Sequence, residues 1–154
     1  MAIVRWALAV AVGAFLIFFG VTKFTGGAHI FPYIELKATG LGVPFAEFAY
    51  PHLNYAVGAL EIAAGLLVIL PMTRKLGALI SIAPFFGAVL FHLSPFLGVS
   101  TPAGYSSPMP TRALEAGGPF AAADFSTEMT TALFMTAVGG LLIAIVNLIV
   151  QRNS

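Results

Sequence analysis

No cysteine occurs among the 154 residues of this chain, which removes disulfides, thiolate metal sites and thiol redox chemistry. Charge is nearly as scarce, at 8% of residues against roughly 25% in soluble domains. A water-soluble globular domain is therefore excluded, and the chain reads as an integral membrane protein. Its formal net charge of +1 is too small to hold a nucleic acid by charge alone. No grouping of His, Asp and Glu has metal-ligand spacing. Neither a phosphate-binding loop nor a local nucleophile–base arrangement is present. Internal repeats and paired interrupted helices are missing too, which counts against a proton-coupled carrier.

What the chain does have is apolar surface. Hydrophobic residues make up 59% of it, gathered into four runs. About 20 helical residues, at 1.5 Å each, cross a ~30 Å hydrocarbon core. The expectation is one domain over residues 1–154, an all-α four-helix transmembrane bundle, with spans at about 3–24, 52–70, 76–99 and 127–150. No Ala-x-Ala site follows the first run, so it reads as a retained span and not as a signal peptide.

The second run carries one carboxylate, Glu61, near its middle. An ionised group there costs between a few and ~10 kcal/mol, so it needs a partner, a proton or water. Asn54, Gly58, Glu61 and Gly65 share one helix face, which turns the acid toward small residues and an amide inside the bundle. On span one, Trp6, Gly13 and Gly20 recur every seven residues, a stripe where another helix can approach closely. Lys23 ends that span, either snorkelling to the headgroups or turning inward to a carboxylate. Span three contains Pro84, which should kink it, and Ser81, Ala88 and His92 on one face. Helical counting puts His92 about 8 Å from the depth of Glu61, within reach directly or through a water. Asn54 or Ser81 would serve as glue for Glu61 if its role is structural. His92 is either a satisfied core histidine or a proton donor and acceptor for a bound carbonyl. A bis-histidine haem would need matching depths, and the histidines differ by roughly one to two turns, so haem is not expected.

Between the spans, residues 32–39 read as a short helix stopped by Gly40. Residues 44–50 read as a second, and the rings of Phe31, Tyr33, Phe45, Phe48 and Tyr50 suit a headgroup layer. Residues 100–125 are rich in Pro, Gly, Ser and Ala without periodicity, a long extramembrane loop. Asp124 or Ser126 is expected to cap span four. Four spans put both termini on one side, with Arg5, Arg74, Lys75 and Arg152. The positive-inside rule then makes that side cytoplasmic.

This ordered set resembles the DoxX family of small four-helix membrane proteins. The resemblance rests on residues 13–23 (GAFLIFFGVTK), on Gly42-Val43-Pro44, on residues 58–65 (GALEIAAG), and on Pro71-Met72-Thr73-Arg74 with Gly77 and Ala78. It covers roughly the first two thirds of the chain. It implies a four-helix bundle, association with quinone-linked redox systems, and Lys23, Glu61 and Arg74 as the polar positions. The expected function is an accessory subunit of a membrane redox complex in an inner cell membrane, with an intramembrane polar pocket of Glu61, His92, Lys23 and Asn54. Quinone is the expected cofactor, and the bilayer with a larger complex or further copies of the chain the expected partners. A non-catalytic scaffold or assembly factor is the alternative.

Overall fold

The computed structural model describes residues 2–152. Four helical segments are long and apolar enough to cross a membrane: Ile3–Phe24, Ala46–Ile69, Arg74–Leu93 and Ala132–Arg152. The first belongs to helix α1 (Ala2–Phe24). The second is α3 (Asn54–Ile69), preceded by a 3₁₀ turn at Ala46–Phe48 and a wider π-helical turn at Ala49–Leu53. That single 3₁₀ turn stands where the second short helix is expected, at 44–50, and it leads into span two across a kink at Tyr50 (φ −134°, ψ 134°). The third divides into α4 (Arg74–Ile80) and α5 (Ile82–Leu93), and the fourth is α7 (Ala132–Arg152). In contact order, α1 lies on α3, α3 on α4, and α7 on α1, α4 and α5, which closes the bundle. The Gln151 side chain donates to the carbonyl of Arg5 at 2.9 Å, so the N- and C-terminal ends of the bundle are neighbours.

Glycines set the close approach of α1 to α3. Gly13 and Gly20 of α1 face Gly65 and Gly58 of α3 in antiparallel order. A Cβ on Gly65 would sit 2.7 Å from the Gly13 carbonyl oxygen, and one on Gly20 would sit 2.8 Å from that of Gly58. Backbone lies on backbone, which is how helices associate where lipid offers no hydrophobic drive between them. Trp6, expected on this stripe, is instead 56% exposed.

Proline shapes the third span. Pro84 has no N–H for the Ile80 carbonyl and its ring crowds that oxygen, so the helix breaks at Ser81. The Ser81 hydroxyl donates back to Ala78 O at 2.8 Å and does not reach Glu61. The span stops at Leu93, short of the expected residue 99, because Ser94 precedes Pro95 and is extended (φ −89°, ψ 161°). At the terminal end of the bundle, Arg74 and Thr73 donate to the last carbonyls of α3, at Ile69 and Leu67.

The other end is covered by an ordered cap. Helix α2 (Ile30–Gly40) runs through Gly40 and is stopped by Gly42, whose φ of +69° lets Val43 N–H bond Ala38 O at 3.0 Å. Residues 100–125 are not featureless. Strand β1 (Thr101–Pro102) pairs antiparallel with β2 (Met129–Thr130), and Tyr105 bridges Phe125. Helix α6 (Thr111–Ala116) lies in the excursion between them. Because residues 129–130 are strand, span four starts at Ala132 and not at 127. Neither expected cap serves it: Asp124 accepts from Ala121 N–H, Ser126 from Glu128 N–H, and Thr130 Oγ1 takes Ala132 N–H. Phe120 and Phe125 of this loop join Phe31, Ile34, Tyr50 and Leu97 in one buried cluster.

Candidate functional site

The face read from the spacing of α3 is the buried one: Asn54, Gly58, Glu61, Ala64, Gly65 and Val68 all point into the bundle. Glu61 arrives beside α1 because Gly58, one turn earlier, lets the Lys23 stem pass. A Cβ on Gly58 would lie 3.1 Å from that of Lys23. Lys23 turns inward, and its Nζ donates to Glu61 Oε2 at 2.7 Å. Each side chain is only 11% exposed. The same ammonium donates to Phe19 O at 3.3 Å and stands 6.0 Å from the centre of the Phe31 ring. An ammonium has three N–H donors, and the protein takes two of them.

Asn54 supports the pair from outside. Its Nδ2 donates to the Lys23 carbonyl at 2.8 Å, holding the last turn of α1, and it does not touch Glu61. His92, near the end of α5, places Nδ1 2.8 Å from Gly98 O. A carbonyl only accepts, so Nδ1 carries a proton, which leaves Nε2 as the ring nitrogen that faces other partners. The imidazole packs edge-on to Phe134, with ring centres 5.7 Å apart. His92 and Glu61 do not hydrogen-bond each other.

Lys23, Glu61 and His92 nevertheless line one cavity of about 360 Å³ under the cap. Its walls are otherwise apolar, with Phe15, Phe19, Phe31, Phe85, Phe91 and Leu97 among them, and Thr136 as a further hydroxyl. Asn54 is not on the wall. His29, in the connection just before α2, is on it. Its Nε2 lies 2.9 Å from Pro102 O in β1, which ties the start of α2 to the cap. Burial holds its pKa below the ordinary imidazole value, partly opposed by that hydrogen bond, so the ring is neutral at pH 7. Tyr105 Oη adds a second tie to Ala28 O at 3.1 Å. No local pattern marks His29, because its neighbours come from more than 70 positions away.

Replacing His92 by Leu leaves the Gly98 carbonyl without its donor. We expect a loss of about 1–3 kcal/mol in unfolding free energy, measured by thermal melting in lipid nanodiscs. An unchanged melting temperature would show that this contact contributes nothing.

Fold and site together define a four-span helical membrane protein with a largely apolar, partly open cavity and an internal ion pair at its wall. Compared with known families, with characterised proteins and with solved structures, the chain gives no match.

Proposed function

We propose that this protein is an accessory subunit of a quinone-linked membrane redox complex, and that its cavity holds a quinone or a similar apolar molecule with a carbonyl head. The observation that carries this reading is the cavity itself: apolar walls interrupted by a few convergent polar groups, in the size range of small-molecule sites. The third N–H of Lys23 is a donor for a ligand carbonyl, and Nε2 of His92, when the ring is neutral, is an acceptor for a hydroxyl. Glu61 holds the ammonium in place. The order of residues 13–23, 58–65 and 71–78, similar to the DoxX family, supports the same reading. The Arg5, Arg74, Lys75 and Arg152 side is then cytoplasmic, with the cap on the far side of an inner cell membrane.

Purification from native membranes in mild detergent tests it. A quinone should co-purify with the complex, and Ala88→Phe, which fills the cavity wall, should remove it without unfolding the chain. A lone apoprotein with no small molecule overturns the reading. Phe45 and Phe48, 79% and 59% exposed at the cap, favour a second one, a scaffold that docks another membrane protein there. In that case exchanging the cap loops abolishes capture of the partner while Ala88→Phe leaves it intact.

A further inference from the structure

The buried carboxyl of Glu35 takes no part in the cavity. It sits on α2 at 4% exposure, and its Oε2 has no hydrogen-bond partner. Gly118 of the cap loop closes over its other oxygen: a Cβ on Gly118 would collide with Glu35 Oε1, and the backbone there has φ +102°. Only a glycine admits both that contact and that conformation. The same helix supplies Phe31 and Ile34 to the cavity wall, while Phe120 and Phe125, just beyond Gly118, pack into their cluster. The loop is thus seated on the roof of the cavity, with an acid at the seat.

The surroundings give this acid no positive charge. Glu35 forms no salt bridge among the described residues. From the start of span two it is faced by Glu47 and Tyr50, and the Tyr50 hydroxyl donates to Leu114 O of α6 at 3.4 Å. Lys37 on its own helix is exposed, as are Arg112 and Glu115 on α6. His52 and Tyr55 lie in the neighbouring open groove with Glu47 and Glu115. A neutral carboxyl fits such a site, whereas a carboxylate has desolvation and a like charge against it.

We propose that the loop between α5 and α7 is a protonation-operated latch, seated over the cavity while the Glu35 carboxyl is neutral and loosened when it ionises. Burial first, and Glu47 second, push the Glu35 pKa up to about 7. Because the seated state raises the pKa of an acid, seating is fully favoured below the ordinary carboxyl range. It weakens as pH climbs toward 7 and levels off above it. Access to the cavity from the cap side then increases in neutral or alkaline surroundings. The inference goes beyond the ligand reading and does not rest on it.

Hydrogen–deuterium exchange on the full chain in nanodiscs tests it without any ligand. After correction for intrinsic base-catalysed exchange, protection of residues 104–126 should fall about tenfold between pH 5 and pH 7.5. Glu35→Gln, which keeps shape and removes the charge, should abolish the pH dependence. Glu47→Gln, an exposed change, should make the fall smaller and complete it at lower pH. A parent protein whose loop protection ignores pH overturns the latch, as does a fall of the same size in Glu35→Gln. Should Glu35→Gln fail to fold, Glu35→Leu, which likewise cannot ionise and buries no polar group, replaces it, and a fall of the parent's size there overturns the latch equally.

Discussion

Lys23→Met is expected to lower the unfolding free energy by about 3–5 kcal/mol, the usual cost of removing one partner from a buried ion pair. Glu61 would then face an apolar cavity with no cation, since Lys23 Nζ is the group that meets its Oε2 at 2.7 Å. The double variant Lys23→Met with Glu61→Leu should recover most of the loss, because a matched apolar pair avoids the desolvation penalty altogether. Glu61→Gln should cost less than Lys23→Met, since an amide oxygen still accepts from the ammonium. Denaturation of the nanodisc-embedded chain measures the parent and all three variants. If Lys23→Met is as stable as the parent, the ammonium lies in the headgroups and the internal pair is not maintained. Stability and ligand retention should separate here. The double variant should fold, yet it lacks the Lys23 donor, so under the proposed ligand reading it should not keep a quinone.

The second large effect belongs to the glycine contact. Gly65→Val places a branched side chain where a Cβ alone would already be 2.7 Å from the Gly13 carbonyl oxygen and 2.7 Å from Ile17 Cγ1. Overpacking usually costs about 1–3 kcal/mol through shifts of side chains. One of the atoms here is backbone and cannot rotate away, so the loss should lie at the upper end or above. α1 and α3 must separate, which also draws Lys23 away from Glu61. Gly139→Ala on α7 is the control. A Cβ there meets nothing within 4 Å, and alanine is the better helix former, so a small gain is expected. Equal effects at the two glycines would refute the close approach as the source of the loss.

The seven-residue spacing of Gly13 and Gly20 and the Asn54–Gly65 face were legible because they are periodicities within one helix. Their meeting was half legible: each stripe shows that something approaches, but not that the two approach each other. Span boundaries went astray where a local rule competed with pairing at a distance. Residues 127–130 look like a helix start, yet residues 129–130 pair with 101–102. Residues 94–99 look apolar enough to continue a span, yet a pre-proline serine ends it. The cap was the least readable part. Its buried cluster draws Phe31, Tyr50, Leu97, Phe120 and Phe125 from four separate segments, none with a period. The seat of Glu35 under Gly118 likewise spans more than 80 positions.

Residence in a membrane, four crossings and an acid among small residues follow from the order of amino acids alone. Hydropathy and the need to satisfy backbone hydrogen bonds in lipid act over one helix at a time. Who meets that acid was decided by the assembled bundle. Lys23 and His92 are each plausible partners from their depths, and only the glycine-to-glycine approach of α1 and α3 brings the lysine to 2.7 Å while the histidine goes to Gly98. A contact that depends on fractions of a turn and a few tenths of an ångström is a property of packing, and packing is settled by all four helices together.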